Sequence, residues 1–300
     1  ITKAVQSRSI SVLKYLLASV LFCSSFNSAS GASTPNEDLL KAALRGDVRA
    51  IKAALEAGAN KGAVTADGHN ALSGAIRSRN ITAVKTLIDA HFDLNHQAFD
   101  RTSPLFDAVA LNELKIVQLL LDHGALVDQR GPKDITVLIF AVRNQKRKLI
   151  EILVKAGADP NYSAGERYTP LEEVILNGDV DTLQIFLKHK VALKHKGYEG
   201  NSPLHVAILS GTAKDSHERK GRRERIIRLL VDAGADVNAL NKANQTPVML
   251  SELTMSGIKL RAFLESRGGK MTSEASQGNS AQEQGALLQV PEGLGKDAKA

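Results

Sequence analysis

Apolar residues return along this chain with two nested periods. Within a segment they recur at helical spacing, as in Ile116, Val117, Leu119, Leu120 and Leu121, which predicts a helix with one buried face. Between segments a short motif recurs. Asn70-Ala71-Leu72, Ser103-Pro104-Leu105, Thr136-Val137-Leu138, Thr169-Pro170-Leu171 and Ser202-Pro203-Leu204 follow one another at steps of 33 residues. Thr246-Pro247-Val248 comes 44 residues later, one period plus an insertion of 11. Gly58, His91, Gly124, Gly157, Lys190 and Gly234 keep the same clock, including its interruption. Two landmarks that agree on the period and on the break establish an internal repeat.

Each landmark predicts local structure. A Ser or Thr caps a first helix by accepting a free backbone N–H, and Pro fits the first helical position because its missing donor would go unused there. Leu then begins the core face. A second helix ends at a position such as Gly124, where a left-handed turn closes it, and Ala125, Val127 and Asp128 lead through an extended hairpin to the next cap. The first unit runs from Leu39 to Asn60, with Asn36 as its expected N-cap and Arg45-Gly46-Asp47 as the turn between its helices. The last runs from Thr246 to Arg267 and shows no clean closing motif.

A unit of Thr-Pro-Leu, helix, turn, helix, Gly-Ala and hairpin resembles the ankyrin repeat. The best match is Gly200-Asn201-Ser202-Pro203-Leu204-His205-Val206-Ala207, closed by Leu229-Leu230-Val231-Asp232-Ala233-Gly234-Ala235-Asp236-Val237-Asn238. The resemblance covers about seven units from residue 36 to 268. It implies an all-α solenoid, an ankyrin repeat stack of helix-turn-helix units joined by β-hairpin-like loops. Only His205 fills the family's His position; Ser73, Phe106, Ile139, Glu172 and Met249 stand there elsewhere. His205 is expected to be the repeat's own structural hydrogen-bonding residue. His91 and Lys190 replace the closing Gly, at a cost of about 1–2 kcal/mol each if the left-handed turn is kept, so these boundaries are expected to be the softest.

Composition agrees with thin helical layers: 43% hydrophobic, 4% aromatic and no Trp. Lys3, Arg8 and Lys14 precede an apolar run from Tyr15 to Phe26, and Ser30-Gly31-Ala32 offers a small-residue exit. That order predicts a signal peptide over residues 1–32, because the run falls short of the ~20 residues that span a bilayer. The expected location is therefore exported, periplasmic or secreted, with the cytoplasm as the alternative if the segment is not a signal. Bulky Phe22 before Cys23, the single cysteine, disfavours lipid attachment. Residues 33–268 would form the repeat domain, with an insertion near 212–225. Residues 269–300, rich in Ser, Gln, Gly and Glu, are expected to be a disordered tail.

The net charge of +7 is localised. Three of those charges lie before residue 15, and residues 214–228 hold seven Lys or Arg against three acids. The bland reading of this insertion is an extended charged turn between helices. Its functional alternative is a membrane- or nucleic-acid-associated factor working through residues 214–228, or an anionic surface docked there. The absence of aromatics disfavours nucleic acid.

Catalysis is not expected. There is no Gly-x-Ser-x-Gly elbow, no phosphate-cradling glycine loop and no His-Glu-x-x-His. His91 with His96 and His189 with His195 bring no third ligand, so neither metal nor cofactor is expected. Glu172-Glu173 is expected on a solvated face. By the family resemblance, a protein partner would be held on the concave side by hairpin tips and first helices, with the chain monomeric and without a small-molecule substrate. The register places His69, Thr102, Ile135, Tyr168, Asn201 and Gln245 before the caps, and Arg77, Ala110, Leu111, Arg143, Leu176 and Leu209 on the first helices. Of these, His69, Arg77, Ile135, Arg143, Tyr168, Leu176, Asn201 and Leu209 are the expected partner-binding residues, since clustered aromatic, aliphatic and Arg side chains are what hot spots contain.

Overall fold

The computed structural model describes residues 33–162, 169–210, 216–252 and 257–271. The expected signal peptide, most of the expected tail, Tyr168 and residues 212–215 lie outside them. Among the described residues fourteen α-helices fall into seven consecutive pairs. They are α1 (Pro35–Arg45) with α2 (Val48–Glu56), α3 (Ala71–Arg77) with α4 (Ile81–Asp89), and α5 (Pro104–Ala110) with α6 (Leu114–Asp122). Next come α7 (Val137–Arg143) with α8 (Arg147–Lys155), α9 (Pro170–Asn177) with α10 (Val180–Lys188), α11 (Pro203–Leu209) with α12 (His217–Asp232), and α13 (Pro247–Ser251) with α14 (Gly257–Ser266). No strand forms among the described residues, and one isolated bridge, Val64 to Asn70, marks a hairpin. The fold class is an all-α solenoid. The chain divides into two compact units, Ile1–Val174 with Asp181–Val191, and Ile175–Val180 with Ala192–Ala300.

The caps act as their residue types dictate. Asn70, Ser103, Thr136, Ser202 and Thr246 each accept the N–H three residues on. Each first helix after α1 is short and mostly buried: Val137, Leu138, Ile139, Phe140, Ala141 and Val142 of α7 are all interior. Each second helix buries one stripe, such as Ile116, Val117 and Leu120 of α6. Gly124 closes α6 at φ 90°. His91 and Lys190 keep that left-handed conformation at φ 60° and 57° in spite of their side chains.

Three local expectations are corrected. The first N-cap is Thr34, not Asn36: the Thr34 hydroxyl accepts from Glu37 N at 3.3 Å, with Pro35 at the first helical position. Asn36 Oδ1 accepts instead from Asn60 N at 2.7 Å, tying the start of the first unit to its end. The last unit does close, at Gly268, whose φ is 86° and whose N–H reaches Glu265 O while Gly269 N reaches Leu264 O. The insertion is not a turn over its described part: Ser216 caps α12, which runs 16 residues where other second helices of the middle units run nine.

Side-chain oxygens in the loops after the second helices stitch neighbouring units. Asn95 Oδ1 accepts from Leu126 N at 2.8 Å, Asp128 from Asp159 N at 3.2 Å, and Asn238 Oδ1 from Lys270 N at 2.8 Å. These bonds satisfy loop N–H groups that no ladder would otherwise serve.

Candidate functional site

The expected binding residues other than Tyr168, which lies outside the described residues, sit at the ends of first helices and on the hairpins that precede them. The structure divides them into committed and displayed groups. Arg77, at the end of α3, donates through Nε and Nη2 to Asp107 Oδ1 of α5 at 3.3 and 3.1 Å, and through Nη2 to His69 Nε2 at 2.9 Å. His69 and Asp107 are buried. Arg143, at the end of α7, repeats the device two repeats on: Nε and Nη2 donate to Glu173 Oε1 of α9 at 3.1 and 2.8 Å. Each pair spans adjacent repeats, with the acid 30 residues after the arginine. His69, Arg77 and Arg143 therefore hold neighbouring repeats together, rather than standing ready as donors beside an apolar patch.

Burial sets the protonation of the first cluster. Removal from water pushes the Asp107 carboxyl up to about 6 against the pull of Arg77, with Asp100 adding to the rise. Removal from water and the Arg77 charge push His69 down to about 4, opposed by Asp100 and Asp67. Near neutrality His69 is thus an acceptor for Arg77 and Asp107 is the counter-ion.

Glu172 and Glu173 are also buried, against the expectation of a solvated face. Glu173 meets Arg143. Glu172 Oε2 accepts from Thr169 N at 2.9 Å while Thr169 Oγ1 accepts from Glu172 N at 3.2 Å. That is a capping box, in which two orphan donors are satisfied reciprocally. One unit later, His205 fills the same slot: its Nδ1 accepts from Ser202 N at 3.2 Å and its Nε2–H donates to Gln245 O at 2.9 Å. Burial lowers its pKa, which fits a neutral structural imidazole.

The remaining expected residues are more open. Ile135 is half-buried, and Asn201 Oδ1 accepts from Asn241 Nδ2 at 3.1 Å. Leu176 and Leu209, both in the second compact unit, lie in the last turns of α9 and α11 at equivalent register positions and are 38% and 47% exposed. Sequence reasoning missed two hairpin aromatics, Phe99 and Tyr198, three periods apart and 78% and 50% exposed. Phe99 is set by its N–H to Asp67 O at 3.2 Å, and it approaches Gly68 so closely that a Cβ there would lie 2.8 Å from the ring. Their shared slot, in a chain so poor in aromatics, was the available signal.

Among the described residues no group of three or more His, Cys, Asp or Glu could hold a metal ion, and no helix is long and apolar enough to cross a membrane. A groove along α1 and α2 is lined by Asp38, Lys41, Arg45 and Asp47 among alanines. No Ser, Thr, Cys or His lines it, and Asp47 is engaged in capping α2.

A family model described as ankyrin repeats matches in three copies, over residues 39–131, 91–164 and 138–241. No curated protein matches the sequence. Among solved structures, the ankyrin repeat domain of Bcl-3, described as a unique member of the IkappaB protein family, aligns with a TM-score of 0.61 at 22% identity. That alignment covers 74% of this chain and 95% of that one. The human ASB11 ankyrin repeat domain aligns with a TM-score of 0.53 at 23% identity, covering 78% and 99%. At these identities the likeness is one of fold.

Proposed function

Because this chain belongs to the ankyrin repeat family, whose domains are in general non-enzymatic protein-interaction modules, we propose that it acts by binding alone and holds a protein partner against its first-helix face. The observation that carries this reading is the exposure of Leu176 and Leu209 at one register position in successive repeats. The same position in two repeats of the first compact unit holds Arg77 and Arg143, which are tied into ion pairs. Exposed leucines there give a partner apolar area to cover, and the ion-paired first helices present a preorganised surface with little left to order on binding. Ile135, Tyr168 and Asn201 complete the proposed contact set.

The test is capture of the native partner by the full repeat domain and by a Leu176→Asp/Leu209→Asp variant. These exposed changes are expected to leave folding intact and to abolish capture. Unchanged capture by the folded variant would remove the face from consideration. Export is proposed with it, supported by the order of Lys3, Arg8 and Lys14, the apolar run and Ser30-Gly31-Ala32. Expression in a secretion-competent host should yield a mature chain beginning at Ser33, and an uncleaved cytoplasmic product would contradict export.

A further inference from the structure

The lengthened helix α12 is the element that the repeat architecture does not explain. Its C-terminal half buries Ile226, Ile227, Leu230 and Val231, as a second helix should. Its N-terminal half buries almost nothing: His217, Glu218, Arg219, Gly221 and Arg222 are exposed, and Arg223 is the first buried residue. Gly221 has no atom near the place of a Cβ, so no close packing asks for glycine there, and glycine weakens a helix interior. What these extra turns display is charge. Residues 217–228 carry five Arg and one Lys against Glu218 and Glu224. Arg219, Arg222 and Arg225 follow one another at three-residue steps along an exposed ridge. Arg222 meets Glu218 at 3.4 Å, but Glu218 is 80% exposed, so the pair is weak and open to exchange for another carboxylate. Further along, Arg228 leaves the ridge to lie 4.6 Å over the Phe263 ring.

We propose that the exposed N-terminal half of α12 is a second docking surface, distinct from the first-helix face, and that its occupant is an acidic polypeptide segment. Guanidinium groups on a helical ridge match carboxylates in paired, fork-like geometry. A bilayer is the poorer fit, because the apolar stripe of α12 is already buried in its repeat and leaves nothing to insert. A nucleic acid is the poorer fit as well. No Phe, Tyr or Trp lies between Ser216 and Asp232 to stack on bases, and Glu218 and Glu224 would face phosphates.

The experiment is fluorescence anisotropy of a labelled glutamate-rich peptide with the full chain, beside a glutamine-rich peptide of equal length, anionic phospholipid vesicles and a single-stranded oligonucleotide. The glutamate peptide should bind in a salt-dependent way, and the glutamine peptide should not. Arg222→Glu/Arg225→Glu should weaken binding about tenfold, from lost pairs and new repulsion. Lys52→Glu/Lys85→Glu, an equal charge change on other second helices, should leave it unchanged. Gly221→Pro, which keeps every charge but breaks the extended helix, should weaken it too. The proposal is overturned if the Lys52/Lys85 variant loses as much as the Arg222/Arg225 variant, or if Gly221→Pro binds like the parent. Tighter binding of vesicles or oligonucleotide through the same arginines would overturn it as well.

Discussion

His69 and Asp107 share Arg77 and titrate in opposite senses, so removing one exposes the other. His69 has its pKa lowered from 6.5 to about 4. Between those values the unfolded chain binds a proton that the folded protein refuses, so stability falls as pH falls. From pH 7 to 4.5 that loss amounts to about 2 kcal/mol. Asp107 has its pKa raised from 3.8 to about 6. In that window the folded protein takes the proton first, so the same acidification relieves a buried charge and returns about 2 kcal/mol. In the parent the two contributions nearly cancel. His69→Gln keeps an acceptor for Arg77 and removes the imidazole titration, leaving Asp107 unopposed. Relative to the parent, this variant should therefore gain about 2 kcal/mol of stability between pH 7 and 4.5. Urea denaturation of both proteins at the two pH values reads the difference directly, with Asp67, Asp100 and His96 present in each. Parallel pH profiles would refute the pairing of a neutral buried His69 with an Asp107 carboxyl raised to about 6.

Three further outcomes follow from the same packing. Arg143→Ala should destabilise by about 3 kcal/mol in equilibrium denaturation, because Glu173 stays buried without its partner. Arg143→Met with Glu173→Leu should recover most of that loss. His91→Gly should raise stability by about 1 kcal/mol by relieving a left-handed side-chain residue, seen as a shift of the denaturation midpoint. Thr34→Ala should cost about 1 kcal/mol and fray α1 in hydrogen exchange, while Asn36→Ala should instead speed exchange of the Asn60 amide.

The caps, the period and the closing turns were legible in the sequence because each rests on a local backbone demand that few residue types meet. Where the reading slipped, length or tertiary context intervened. Counting back from Gly58 by the usual cap-to-closure spacing lands near residue 37, but α1 is 11 residues long where most first helices have seven, which moves the cap to Thr34. The Thr-Pro pair at Thr34-Pro35 was the visible clue. Glu172 was readable as a capping box from Thr169-x-x-Glu. Glu173 was not readable alone, since its burial depends on an arginine 30 residues earlier. The insertion looked like a turn because its charges mask periodicity, although Ser216 followed by Arg, Lys and Glu is a helix start. The binding face was legible as register positions only. Which of them face solvent depended on partners such as Asp107 and Glu173 that periodicity does not reveal.

A photo-activated cross-linker placed at Leu209, and separately at Lys115 on α6, in the presence of the native partner distinguishes the first-helix face from the second helices. If partners are held on the first-helix face, a single cross-linked protein forms from position 209, none forms from position 115, and the product is lost when Leu176 is changed to Asp. Equal cross-linking from both positions, or from 115 alone, would show that the partner is not held there.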